Sequence, residues 1–236
     1  MFAGMTTPHA ISLAIHIGAG AVGISLGTLQ LLRTKGGARH QRTGRMFMFV
    51  ALIVTGSALI GTIAFRFMPL FAVLTLLVTY VAVGGWRAAR TRASGPQRID
   101  LAWTILGLCT ALALVPALLG APHVGSSRPV VVWSSLGALG VVLAYDFLRW
   151  TFPRRLFARL WLPEHIYKIV SALSGMVSAF AGNVVQWGQP WSQVAPSVIG
   201  IIVILYWWWR SSSLVAANAG QDIQQLILAR MPKRHL

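Results

Sequence analysis

Seven long apolar runs dominate this chain of 236 residues. Each is close to the roughly 20 apolar residues that an α-helix needs to cross a bilayer. The runs cover roughly residues 9–32, 46–66, 68–86, 100–121, 130–149, 165–187 and 195–209. They are continuously apolar, whereas strands of a membrane β-barrel alternate over about 10 residues. The sequence therefore predicts an all-α, polytopic transmembrane helix bundle with about seven helices.

The composition also indicates a membrane protein. Only 10% of the residues are charged and 56% are hydrophobic, whereas a soluble domain carries about 25% charged residues. We expect residues 1–210 to form a transmembrane helical domain and residues 211–236 to form a cytoplasmic, helical tail. The N-terminal stretch MFAGMTTPHA contains no Lys or Arg, so we expect the first run to be a retained helix rather than a cleaved signal peptide.

The positive charges alternate between the two sides of the predicted bundle. The net charge is +16, and 18 of the 20 lysines and arginines fall in every second connection or beside it, whereas only Arg66 and Arg128 fall in the others. The positive-inside rule then places the N-terminus outside and the C-terminus in the cytoplasm. Basic loops at a membrane edge indicate contact with anionic lipid headgroups, and we do not expect nucleic-acid binding.

Four histidines fall into two pairs on this topology. His40 and His165 lie at cytoplasmic ends of helices, and His16 and His123 lie toward the outer side. A b-type haem takes one imidazole from each of two facing helices. The pattern predicts haem b on His40 and His165, and a second haem on His16 and His123. Arginine suits carboxylates, so we expect three arginines to neutralise the haem propionates: Arg39, Arg42 and Arg45.

A plainer interpretation of the polar residues stays open. Interfacial histidines can face headgroups and water, and His16 can be a neutral ring bonded to a neighbouring helix. Asp146 is expected to pair with Arg149 or with an arginine of the first basic loop, and a proton relay is the alternative. Glu164 is expected to orient His165 or a neighbouring imidazole.

Two further motifs concern the first helix and hydrolytic chemistry. The stretch GAGAVG matches a dinucleotide fingerprint but lies inside an apolar run, so we interpret Gly23 and Gly27 as a GxxxG packing motif, with room for a flat cofactor as the alternative. The chain has no HExxH or P-loop motif and only four carboxylates. A membrane hydrolase or ATPase is therefore not expected.

Several short segments resemble a family of uncharacterised bacterial predicted multi-pass membrane proteins. That family has a His-Arg-x-x-Gly-Arg segment after its first helix, and the segments in question here are HQRTGR at 40–45, DFLR at 146–149 and EHIYKIV at 164–170. Gln41 stands where the family has Arg. The wider pattern of helix pairs with interfacial histidines is similar to cytochrome b561 and ferric reductases. That similarity implies electron transfer between a quinol or a cytoplasmic reductant and an outer acceptor.

The function expected from these features is b-type haem binding in a bacterial inner membrane, with electrons moved across or within the bilayer. The protein would then be a membrane oxidoreductase or electron-transfer protein, with a quinol or a redox protein as partner. The alternative is a non-redox membrane protein: a carrier, a sensor, or a structural subunit of a larger complex. Either function is compatible with a homo-oligomer.

Overall fold

The computed structural model of the protein describes residues 6–65, 67–120, 129–152, 160–185 and 187–230. These residues form seven α-helices and no strand. The helices are α1 (Thr7–Leu32), α2 (Ala38–Ile60), α3 (Pro69–Thr91), α4 (Arg98–Gly120), α5 (Pro129–Thr151), α6 (Trp161–Val184) and α7 (Trp191–Arg230). A π-helical turn, Gly61–Phe65, extends α2. The predicted all-α bundle with seven helices is confirmed.

Six of these helices are long and apolar enough to cross a membrane. The exception is α6, which has 24 residues and holds Glu164, His165 and Lys168 in its first two turns. It lies in the interior of the bundle, against α1, α3 and α7. Its polar side chains therefore meet protein rather than lipid, which is the environment in which such residues are tolerated inside a membrane.

The central element of the bundle is the pair formed by α3 and α6. The hairpin of α1 and α2 packs on one side of this pair, α4 and α5 pack on α3, and α7 packs on α6. The most deeply buried side chains of the core are at most 1% exposed, among them Phe47, Val81, Leu139 and Ala172. The lipid-facing helices α1 and α7 bury little of their surface within the protein.

Most of the helices begin one to eight residues before the apolar runs that predicted them. α2 starts at Ala38 and α6 at Trp161, so His40 and His165 both lie in the first two turns of a helix. α7 continues past residue 210 without a break as far as Arg230. The predicted helical tail is thus a continuation of the last membrane helix.

The connection between α1 and α2 is held by Lys35. Its Nζ donates hydrogen bonds to the carbonyls of Gln30 at 2.5 Å, Leu31 at 2.8 Å and Arg33 at 2.7 Å, which satisfies carbonyls left free at the end of α1. The same ammonium lies 4.5 Å from the ring centre of Trp207 on α7. Burial lowers the pKa of Lys35. These contacts fix the turn that places His40 beside the end of α1.

The GxxxG motif of α1 is a packing motif, as predicted. A Cβ at Gly23 would lie 2.6 Å from Met176 Cε, and a Cβ at Gly27 would lie 2.6 Å from Leu173 Cδ1. Side chains of α6 therefore occupy the space in which a flat cofactor was the alternative, and that alternative is wrong at these two positions. Gly18 and Gly20 have nothing within 4 Å of their Cβ positions.

The orientation in the membrane can be tested by cysteine labelling in a Cys109→Ala background. We expect a membrane-impermeant maleimide to modify Phe67→Cys in intact cells, because the α2–α3 connection lies outside on the predicted topology. Arg33→Cys and Arg98→Cys should react only after permeabilisation. Labelling of Arg33→Cys and Arg98→Cys from opposite sides would contradict the topology.

Candidate functional site

Four charged side chains of α5 and α6 form a buried cluster, called here the charge cluster: Asp146, Arg149, Glu164 and Lys168. Their exposed fractions are 4%, 7%, 2% and 1% respectively. Charges are rarely buried so completely unless they are paired. The first two residues lie one turn apart near the end of α5, and the other two lie one turn apart near the start of α6.

Each charge in the cluster has a partner of opposite sign. Lys168 Nζ donates to both carboxylate oxygens of Asp146 at 2.8 Å and to Glu164 Oε1 at 2.8 Å. Arg149 Nη1 donates to Glu164 Oε1 at 2.6 Å and to Asp146 Oδ1 at 3.3 Å. Two cations and two carboxylates give no net charge, which lowers the electrostatic cost of burial. The predicted pairing of Asp146 with Arg149 is confirmed.

Hydroxyl groups of α3 and α4 extend the charge cluster. Tyr80, only 1% exposed, donates its O–H to Asp146 Oδ2 at 2.6 Å, and its oxygen lies 3.1 Å from Thr104 Oγ1. The cluster therefore joins α3, α4, α5 and α6 through polar contacts. Neither hydroxyl was predicted, because a Tyr or Thr inside an apolar run has no signal that marks it as polar core.

Lys168 was also missed as a site residue, since its charge was assigned to a cytoplasmic connection. The available signal was its spacing of four residues from Glu164, which places both side chains on one face of a helix. Glu164 itself bonds to Arg149 and Lys168 in the described structure. None of its described hydrogen bonds reaches an imidazole, so the expected orienting role toward His165 is not observed.

Two adjacent glycines of α3 make room for this part of α6. A Cβ at Gly84 would lie 3.1 Å from Lys168 Nζ, and a Cβ at Gly85 would lie 2.9 Å from both Lys168 Cβ and Ile169 Cγ1. The backbones of α3 and α6 can approach this closely only because the side chains on α3 are absent. The same approach brings His165 against the backbone of α3.

Replacing Gly85 with alanine is expected to lower the melting temperature by about 5 °C, because overpacking a close helix contact costs about 1–3 kcal/mol. The measurement is thermal unfolding of the purified protein in detergent. The matched control is Gly20→Ala on α1, where the added methyl group meets nothing within 4 Å. Equal melting temperatures for the two variants would show that the α3–α6 contact is not tight.

His165 is held by one ring nitrogen. Its Nδ1 lies 2.9 Å from the carbonyl oxygen of Gly85, and a carbonyl can only accept, so the proton is on Nδ1. Nε2 of the neutral ring then carries a lone pair. A backbone carbonyl on one nitrogen is the usual partner of a histidine that binds a metal through the other.

His40 lies in the first turn of α2 and is held by Gln30 of α1. Gln30 Nε2 donates to the His40 carbonyl at 2.8 Å and lies 3.1 Å from His40 Nδ1. Nδ1 is therefore an acceptor here, and the proton of the neutral ring is on Nε2. Gln30 Oε1 is buried and has no hydrogen-bond partner among the described residues.

The three arginines predicted to bind propionates are exposed, and they point in different directions from His40. At about 100° per residue, Arg42 and Arg45 project about 160° and 140° away from His40 around α2. Arg39 projects about 100° away. Of the three, Arg39 is therefore the nearest in direction to the His40 ring.

The outer pair is only partly described. His16 Nδ1 lies 3.0 Å from the Val54 carbonyl and 3.1 Å from Ser57 Oγ, so the ring is anchored to α2 with Nε2 left over. This is the bond to a neighbouring helix that the plainer interpretation expected. His123 lies outside the described residues. Within the described part of the chain, no three residues of the types His, Cys, Asp or Glu are grouped as a metal site would require, whereas a bis-imidazole haem needs only two.

Fold and site together define a multi-pass α-helical membrane protein with a buried charge cluster next to His165. No family model matches the chain, and no curated protein or solved structure matches it either.

Proposed function

We propose that the protein is a b-type cytochrome of a bacterial inner membrane, in which His40 and His165 bind one haem through their Nε2 atoms. The observation that carries this proposal is the geometry of His165. Its Nδ1–H is fixed by the Gly85 carbonyl at 2.9 Å, which orients the ring and makes Nε2 the nitrogen that would bind iron. His40 lies at the start of α2 as His165 lies at the start of α6, which is the same end of the bundle on the predicted topology.

His40 can serve as the second ligand if the side-chain amide of Gln30 rotates by about 180°, which exchanges the positions of its Nε2 and Oε1 atoms. Iron on Nε2 requires the proton of the ring to be on Nδ1, where it needs an acceptor. Gln30 Oε1 is a buried acceptor without a described partner, and turning the amide would place this oxygen against His40 Nδ1. The change would give up the 2.8 Å hydrogen bond from Nε2 to the His40 carbonyl.

A bound haem would supply one-electron transfer, and the residues of this chain would hold it and set its surroundings. Arg39 is the best placed of the three arginines to meet a propionate. His16, with its anchored ring, would hold a second haem together with His123. Two haems at different depths would carry electrons from a quinol or a cytoplasmic redox protein toward the outer side.

An absorption spectrum tests this proposal most directly. We expect the purified protein in detergent to show a Soret band that shifts on reduction with dithionite, and a pyridine adduct that identifies haem b. Iron and haem should be present at one or two equivalents per chain. A protein expressed with adequate iron and haem that shows neither band nor iron would rule the cytochrome out.

The charge cluster supports a second candidate, a carrier, sensor or structural subunit without a redox group. Ionisable residues inside a membrane usually mark a functional site. Two buried donor atoms here have no described partner: Arg149 Nε in the cluster, and the hydroxyl of Tyr167, whose ring centre lies 5.8 Å from Lys168 Nζ. Co-purification separates the two candidates. A partner that contains flavin or an iron–sulfur centre supports electron transfer, and a transport or signalling partner supports the second candidate.

A further inference from the structure

Two arginines of α2, Arg42 and Arg45, lie three residues apart on one side of the helix, at its inner end on the predicted topology. Several other cations of this face are engaged: Arg87 with Asp100, Arg90 over Trp86, Arg92 over Trp161 and Lys35 with carbonyls of the α1–α2 connection. Arg33, Arg98 and Arg210 are exposed, as Arg42 and Arg45 are, but they do not share a stripe of one helix with a second arginine and exposed apolar side chains. Arg39 is also exposed and projects further toward His40 than Arg42 and Arg45 do. Arg42 and Arg45 are exposed and have no hydrogen bond, ion pair or ring contact to any described residue. An exposed pair of guanidinium groups is a site for an external anion.

The same face of α2 becomes apolar toward the middle of the membrane. Phe49 and Leu52 are 68% and 45% exposed, and each follows one of the arginines by seven residues. Two turns of helix bring residues back to nearly the same direction and lie about 10 Å further along the axis. One stripe therefore holds two cations at the headgroup level and two bare apolar side chains at the acyl-chain level.

We propose that the stripe Arg42–Arg45–Phe49–Leu52 is a binding site for an anionic phospholipid. The phosphate would lie between the two guanidinium groups, which suit it in charge and in their forked donor geometry. One acyl chain would lie on Phe49 and Leu52. The site faces away from His40, so it is separate from the proposed haem and does not depend on it.

Lipid retention measured by native mass spectrometry tests this site. Protein in detergent is titrated with phosphatidylglycerol or with phosphatidylcholine of the same chain length. We expect the wild-type protein to prefer phosphatidylglycerol, and the Arg42→Gln/Arg45→Gln variant to bind it about 30-fold more weakly, since each arginine near the headgroups contributes about a factor of five.

The matched control is Arg33→Gln/Arg98→Gln, which removes the same charge from the same face without touching the stripe. We expect this control to keep the wild-type preference, and Phe49→Gln to weaken binding with both arginines intact. Free glycerol phosphate, which has no acyl chain, should not displace the lipid. An equal loss in the control, or no preference in the wild-type protein, would overturn the proposal in favour of diffuse attraction by the net charge.

Discussion

Replacing Lys168 with methionine is expected to lower the melting temperature by about 10 °C. The side chain is 1% exposed, and its ammonium is the shared partner of Asp146 and Glu164. Without it, two carboxylates face one guanidinium, and one negative charge remains buried without compensation. Breaking a buried ion pair in this way costs about 3–5 kcal/mol, which corresponds to a shift of this size for a chain of this length.

The double variant Lys168→Met/Asp146→Asn separates charge from packing. It restores neutrality, keeps the 2.6 Å pair of Arg149 with Glu164, and leaves the Asn oxygen as an acceptor for Tyr80. We expect it to melt above the single variant. The control is Arg98→Gln, which removes one positive charge from an exposed position. It should have the same melting temperature as the wild-type protein. A double variant as unstable as the single one would show that the lysine acts through packing rather than through its charge.

Replacing His165 with alanine is expected to abolish the Soret band if one haem is bound. If a second haem is bound at the outer pair, only the absorbance of that haem should remain. The reason is that the fixed Nδ1–H of this ring makes its Nε2 the best-oriented ligand atom of the inner pair. His40→Ala should remove the same haem. The measurement is the reduced-minus-oxidised spectrum together with haem content per chain.

His9→Ala is the matched control, because His9 stacks on Phe65 and is not in either proposed pair. It should leave the spectrum unchanged. His16→Ala should remove only the second haem, if two are bound. An unchanged spectrum in His165→Ala, with haem present, would exclude this residue as a ligand and direct attention to the outer pair.

The sequence predicts the depth of a residue in the membrane better than its direction around the helix. Depth in the membrane follows from counting residues along a helix, so His40 and His165 could be assigned to the same end of the bundle. The direction of a side chain around the helix was not predicted. Arg42 and Arg45 were grouped with His40 because they are near in sequence, although they project from nearly the opposite side of α2.

Length, hydropathy and the alternation of basic loops were enough to predict a multi-pass helical bundle, because a bilayer admits few ways to satisfy backbone hydrogen bonds. The partners of Lys168, the contacts of Tyr80 and the tautomers of His40 and His165 were decided only by tertiary packing. Those features depend on which helices are neighbours and how they are rotated about their axes. In lipid, the apolar faces of all the helices are alike, so hydrophobicity does not determine which helices become neighbours. Small residues such as Gly84 and Gly85, together with buried polar pairs, determine the neighbours and the rotation of each helix about its axis.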